Sequence, residues 1–396
     1  GNDTTITATF TIIDTTNPNI ENCEPVDKTF ECNGETANQA DAIQWNEDNI
    51  TLLDACVTDD CAPNSAVIVT SDFDFNNLTD SCGFTGELLV TYTITDDCGN
   101  DTTRTATYKI VDTTIPSVTC NPVDSLHECN GLAGNRGAAE LWNAANIQAL
   151  ENCSSDLCGT IEVTSDFNFD NNYVGDCGLT GAITVLYTIT DECGNDITRT
   201  ATLTIIDETA PEVPCDADNA TEECAGLDGN LALATAWNNA NITKLDACAT
   251  DACAPADQVI VTSDFDFNNL SNDCGYTGAI TVTYTITDPC NNFTTKTATF
   301  TIIDTTDPVI TCDADDKTFE CDGQAGNQAD ADAWNAANIA KLEGCATDIC
   351  APDAAVVVTS DYDFTNLSDL CGFTGSLTVT YTITDDCDNF ITTTAT

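Results

Sequence analysis

Thr91-Tyr92-Thr93-Ile94-Thr95-Asp96-Asp97-Cys98-Gly99-Asn100 decides the fold of this chain. Apolar side chains fall on every second position with threonine between them, and the run ends in Asp, Gly and Asn. That is the pattern of a half-buried β-strand entering a turn. Beyond the turn, Ala106, Tyr108 and Ile110 alternate in the same way, so 87–97 and 103–111 read as a hairpin. Upstream, Val67, Val69, Phe73 and Phe75 share one face of another strand, with Asp72 and Asp74 on the other. Short strands are expected around 18–22 and 27–32.

The motif recurs at 186–195, 283–292 and 380–389, a period of 95 to 97 residues. The segment ATFTIIDTT at 8–16 returns as ATYKIVDTT, ATLTIIDET and ATFTIIDTT. Residues 1–14 therefore read as the last strand of a preceding repeat. Four repeats follow at 15–112, 113–207, 208–304 and 305–396, the fourth with its last strand truncated. The expectation is an excerpt of a longer array, each repeat long enough for its own core.

Between the early strands and Val67, residues 39–55 carry alanine, tryptophan and leucine at helical spacing, as do the sister segments. One amphipathic helix per repeat is predicted, packing Trp45, Trp142, Trp237 or Trp334 onto the sheets as a core anchor. The fold class is thus mainly β: tandem immunoglobulin-like β-sandwich repeats of about 97 residues, each with an inserted helix and three disulfides.

Every repeat holds six cysteines at matching places. They are Cys23, Cys32, Cys56, Cys61, Cys82 and Cys98; Cys120, Cys129, Cys153, Cys158, Cys177 and Cys193; Cys215, Cys224, Cys248, Cys253, Cys274 and Cys290; and Cys312, Cys321, Cys345, Cys350, Cys371 and Cys387. An even set implies three disulfides inside each repeat and an oxidising, extracellular setting. Paired C-x₂-C motifs and histidine ligands are missing, which disfavours zinc. Six cysteines allow 15 pairings. Cys82 with Cys98 is excluded, because the strand between them spans roughly 30 Å against a ~6 Å Cα separation in a disulfide. Cys98 is expected to meet Cys32, Cys56 or Cys61 at its own pole. Each bridge contributes ~2–4 kcal/mol.

Acidic residues number 66 against 9 basic, a formal net charge of −57. Such a chain repels phosphate backbones, so nonspecific nucleic-acid binding is excluded. The apolar fraction of 42% is that of a folded chain. No apolar run is long enough for membrane insertion of this segment. Two acidic clusters recur: the strand-end Asp14, Asp112, Asp207 and Asp304, and the turn residues Asp96, Asp97 and Asp101. Counterparts of the turn set are Asp191, Glu192 and Asp196, then Asp288, then Asp385, Asp386 and Asp388. Asp14 facing Asp96 and Asp101 across a linker would offer hard oxygens to Ca²⁺ and stiffen the hinge. The other reading is turn-forming, solvated surface. Pro289 and Phe293 weaken the set in the third repeat, and no further cofactor is implied.

No catalytic constellation stands out, and an enzyme is not expected. His127 is the sole histidine; Phe30, Glu222 and Phe319 stand at its place in the other repeats. Paired carboxylates carry little information in so acidic a chain.

DTT-x-P-x-[VI]-x-C, [FH]-E-C, D-x-C, C-G-x-T-G and Y-T-I-T-D-x-C-G-N together resemble the repeats of very large Bacteroidetes surface proteins. The nearest likeness is to flavobacterial gliding-motility adhesins, and a looser one runs to hyalin-type repeats. The resemblance covers all four repeats; Asp207-Glu208-Thr209 and the loss of Cys-Gly at Cys290 and Cys387 depart from it. It implies type IX secretion, display as a long filament attached to the bacterial outer membrane, and gliding or surface attachment. It also implies O-glycosylation at Thr15, Thr113 and Thr305. Under this reading the partners are neighbouring repeats of the same chain and a substratum or surface polysaccharide, held by multivalent weak contacts. The competing reading is a glycan-binding repeat of a secreted protein, which needs exposed rings such as Phe73 and Phe84.

Overall fold

A computed structural model describes residues 1–352, 355–368 and 371–396. Its elements in the first repeat are β1 (Asn19–Ile20), β2 (Lys28–Glu31), α1 (Glu35–Cys56), β3 (Val57–Thr58), β4 (Ile68–Ser71), β5 (Thr79–Asp80), β6 (Gly86–Thr95) and β7 (Asp101–Val111). The alternation around Tyr92 becomes β6, whose inward Leu88, Val90, Tyr92 and Ile94 are all buried. β6 and β7 form the expected hairpin, with Val90 opposite Ala106 and Leu88 opposite Tyr108. β4 joins β6 antiparallel and β2 joins β7 parallel, giving the order β2–β7–β6–β4. A central last hairpin with an earlier strand on β6 is the C–F–G sheet of an immunoglobulin-like repeat. The chain is mainly β, a tandem series of such repeats.

One face of the sheet is covered by α1, which begins four residues earlier than its sequence pattern suggests. Its buried residues Asn38, Ala42, Trp45, Asn46, Asn49 and Leu53 follow helical spacing. The Trp45 ring packs 5.2 Å from Tyr108 and 6.4 Å from Tyr92. Its Nε1 donates to the Val26 carbonyl at 2.7 Å, satisfying the polar end of an otherwise apolar ring. Strand β4 stops at Ser71. Phe73 and Phe75 still pack on the core, but Asp72 accepts from Thr91 N at 2.7 Å and Asp74 caps a 3₁₀ turn at Phe75–Asn77. These two aspartates are therefore local caps as well as an outward face.

The described chain divides into two compact units. One comprises Gly1–Glu128, Leu132–Asp176 and Gly181–Ile206; the other Cys129–Gly131, Cys177–Thr180 and Asp207–Thr396. In the first, Ser125–Glu128 pairs parallel with Asp196–Ile206, as β2 does with β7. In the second, Ala220–Glu223 pairs the same way with Phe293–Ile303. Residues 1–18 form no strand here, and Ile6, Phe10, Ile12 and Ile13 are 91, 89, 83 and 75% exposed.

Candidate functional site

The junction between successive repeats gathers most of the recurring residues. Among the described residues only one bridge per repeat closes internally: Cys23–Cys56, Cys120–Cys153, Cys215–Cys248 and Cys312–Cys345, each over 33 residues. The expectation of three internal disulfides is corrected by the other six. In the first unit Cys32 bonds Cys158 and Cys82 bonds Cys193. In the second, Cys129 bonds Cys253, Cys177 bonds Cys290, Cys224 bonds Cys350 and Cys274 bonds Cys387. Cys193, Cys290 and Cys387 are the counterparts of Cys98, so the pairing of Cys98 with Cys32, Cys56 or Cys61 is corrected too. The cause is the length of β6. Its far end, near Cys82, is out of reach of its own turn and lies against the turn of the following repeat. Among the described residues Cys61, Cys98, Cys321 and Cys371 are free and exposed.

Backbone contacts accompany the bridges. Phe84 N donates to the Cys158 carbonyl at 2.7 Å, and Leu179 N and Tyr276 N donate likewise to Cys253 and Cys350 at 2.7 and 2.8 Å. Cys158, 3% exposed, completes the apolar core of the first repeat, and Cys350 that of the third. The last asparagine of each turn motif holds the linker. Asn195 Nδ2 donates to the Asp112 carbonyl at 3.2 Å, Asn292 to Asp207 at 3.0 Å and Asn389 to Asp304 at 3.2 Å.

The linker aspartates meet others there. Carboxylate oxygens of Asp14, Asp59 and Asp96 lie within 4.8 Å of one another. Asp112 stands equally close to Asp156, Asp207 to Asp251 and Asp288, and Asp304 to Asp348. Asp59 and Asp96 each spend an oxygen on backbone N–H groups of their own turns. Asp14 Oδ1 accepts from Thr16, while its Oδ2 and that of Asp304 are buried with no hydrogen-bond partner. Burial, then the charges of Asp156 and Asp191, push the Asp112 carboxyl above its ordinary value. Burial with Asp348 and Asp385 does the same to Asp304. In contrast, the Asn100 side chain holds Asp96 below its ordinary range. The half-cystine sulfurs beside these groups have no thiolate to offer, so the donor set is carboxylate oxygen. Orphaned buried oxygens among hard donors fit a divalent cation such as Ca²⁺.

Not all the predicted ligands converge. Asp101 starts β7 and is exposed, as are Asp97, Asp196 and Asp388, and none of the four belongs to these carboxylate groups. Asp191 and Asp385 act on Asp112 and Asp304 as charges. The members that sequence reading missed are Asp59, Asp156, Asp251 and Asp348. Their signal was the D-x-C spelling in every repeat, where the aspartate accepts from the cysteine N–H two residues on. Also missed were the buried helix asparagines. Asn49 brackets Val26, accepting from its N–H at 2.8 Å and donating to its carbonyl at 3.2 Å. Asn146 and Asn241 repeat this at Val123 and Asp218.

Of the three threonines named for glycosylation, Thr113 donates to Glu31 and Thr305 to Glu223 through both N–H and hydroxyl. Thr15 is exposed. His127 occupies a strand position opposite Ile205. Phe73 packs on the core and Phe84 is 41% exposed. No helix among the described residues is long and apolar enough to cross a membrane.

No known family profile matches the chain. It is 31% identical over 233 residues to hyalin of the sea urchin Strongylocentrotus purpuratus, covering 57% of this chain and 17% of that one. To hyalin of Lytechinus variegatus it is 30% identical over 233 residues, covering 57% and 39%. The chain thus spans well under half the length of these relatives. Among solved structures, a protocadherin gamma B7 four-domain fragment aligns over 94% of this chain and 97% of its own, at 10% identity and a TM-score of 0.28. Titin I67–I69 aligns over 73% and 100%, at 7% identity and 0.24. Scores this low carry no weight for the fold, which rests on the strand pairing. In sequence the chain is similar to hyalin.

Proposed function

We propose that this chain is the repeat region of a long extracellular cell-surface filament, a stalk that extends or carries adhesive contacts. In this reading 15–112, 113–207, 208–304 and 305–396 are its repeats, and 1–14 ends another. The observation that carries it is the pair of disulfides joining each repeat to the next. Force along such a chain passes through covalent bridges that span 111 to 126 residues, so little hidden length can be released. A gliding or surface-attachment adhesin of the flavobacterial kind, exported by type IX secretion and fixed at the outer membrane, is the specific form we favour from the repeat motifs. A substratum or surface polysaccharide would be gripped weakly by each repeat and firmly by many. Single-molecule stretching tests the stalk. The oxidised chain should extend far less on unfolding than the reduced one; equal extension would refute it.

A second reading concerns the junction itself. Ca²⁺ between the linker aspartate and Asp59, Asp96 or their counterparts would use the orphaned oxygens of Asp14 and Asp304 and stiffen each hinge. Melting and small-angle scattering with calcium and with chelator test it, and identical results in both would refute it. The glycan-binding alternative is weakened by Phe73, whose ring is spent on the core.

A further inference from the structure

The first repeat carries a polar triad where the second and third carry only small or apolar side chains. Sheet register sets Lys28 of β2 beside Tyr108 of β7, and the Asp27 carboxylate pins that register by accepting from Thr107 N at 2.7 Å. Helix α1 brings Asp41 onto the pair. Lys28 Nζ lies 2.8 Å from Asp41 Oδ1 and 2.7 Å from Oδ2, and the Tyr108 hydroxyl donates to Oδ2 at 2.7 Å.

The three positions change together. Strand pairing aligns Lys28 and Tyr108 with Ser125 and Leu203, then with Ala220 and Phe300. The fully buried Ala42, Ala139 and Ala234 align the helices, so Ala138 and Leu233 stand in place of Asp41. In the fourth repeat Lys317 and Asp330 return as a pair. Lysine and aspartate are therefore kept or lost jointly, as two groups that act on each other would be.

Their surroundings are largely apolar. Tyr108 is fully buried, with its ring 5.2 Å from that of Trp45, and the Asp41 side chain is 23% exposed. Lys28 Nζ lies 5.6 Å from the centroid of the Phe30 ring. Contact with both carboxylate oxygens holds the nitrogen close to Cγ, and a held geometry of this kind favours intramolecular attack. Transfer of one proton within the ion pair yields an amine and a carboxylic acid, the reactants of an amide condensation.

We infer that Lys28 and Asp41 join in an isopeptide bond. Nζ attacks Cγ, the Cγ–Oδ1 bond breaks, and Oδ1 leaves as water with two of the three ammonium protons; the third stays on the amide nitrogen. Oδ2 remains as the amide oxygen. The Tyr108 hydroxyl, already bonded to it, stabilises the negative charge it carries in the tetrahedral intermediate. The step is redox-neutral. Its product ties β2 to α1 across 13 residues, beside the Cys23–Cys56 bridge, and survives reducing agents. It stands independently of what the filament grips.

The test uses the 396-residue chain, produced without glycosylation, folded under oxidising conditions and held at neutral pH. It is then reduced and alkylated for intact mass, and digested for tandem mass spectrometry. Expected are a loss of one water and a branched peptide joining Lys28 to Asp41. Lys28→Arg keeps the charge but is too weak a nucleophile, and should restore that water. Tyr108→Phe should condense about 10²-fold more slowly. A folded wild-type chain that keeps its full mass holds an ion pair only, and overturns the inference without recourse to any variant. A water loss that persists in Lys28→Arg marks an aspartyl succinimide and overturns it equally. Unchanged kinetics in Tyr108→Phe would overturn the part given to the hydroxyl.

Discussion

Gly83 approaches Cys158 so closely that a Cβ on it would lie 1.9 Å from the Cys158 carbonyl oxygen, and its φ is +54°. The same residue positions recur at Gly275 and Cys350, with 2.1 Å and +52°. The C-G-x-T-G spelling thus marks where one repeat receives the next. Gly83→Ala must push the backbones apart and strain the turn, at a cost of about 1–3 kcal/mol. The expected result is a lower melting temperature and a reduced yield of the Cys32–Cys158 peptide after oxidative refolding. Calorimetry and peptide mapping check both.

Replacing Cys82 and Cys193 by serine opens a closure of 111 residues, worth about 4–5 kcal/mol on chain entropy. Denaturant unfolding of the double variant should lose up to that amount, less whatever the overlapping Cys32–Cys158 closure retains. A loss confined to the first unit is expected, read by hydrogen exchange.

Buried Asn49 satisfies both backbone groups of Val26, a residue that is itself exposed. Asn49→Ala removes the side-chain partner of the Val26 N–H, while the Val26 carbonyl keeps Trp45 Nε1, and should destabilise the first repeat by about 0.5–1.5 kcal/mol. Asn49→Asp, which can accept from Val26 N but not donate to its carbonyl, should rescue only part. Urea denaturation of both variants checks this.

The junction carboxylates predict a sign for pH. The raised values of Asp112 and Asp304 mean that the folded chain binds those protons more tightly than the unfolded one. Their contribution favours folding at acid pH and is lost as pH rises through their folded-state values. Glu31, held down chiefly by the Thr113 N–H, contributes the opposite way, present above its unfolded value and lost on acidification. Carboxyl ¹³C titration in chelator should show Asp112 and Asp304 above the ordinary aspartate range and Glu31 below the glutamate range. Under the calcium reading, adding Ca²⁺ moves only the two aspartates, and downward.

If the chain is glycosylated, Thr15 should carry the sugar in preference to Thr113 and Thr305, whose hydroxyls are bound to Glu31 and Glu223. Intact mass and site mapping of the native protein decide the order of occupancy.

The strands, the hairpin and the helix were legible in the sequence because their causes are local. Alternation at Val90, Tyr92 and Ile94 sets a buried face, and helical spacing around Trp45 sets another. The repeat boundaries came from self-similarity, and the acidic turn from Asp96 and its copies. Disulfide pairing was a different matter. Spacing within a repeat excluded Cys82 with Cys98 but could not point to Cys193, because that meeting depends on which end of one repeat abuts the next. The same holds for Asp59 joining Asp14 and Asp96, three residues brought together from two loops and a linker. Sequence by itself determined each repeat's last hairpin, its helix and its core, since these follow from side-chain pattern. Only the tertiary structure decided that the covalent bonds run between repeats, because separations of 33 and of 111 residues look alike until the ends of β6 are placed in space.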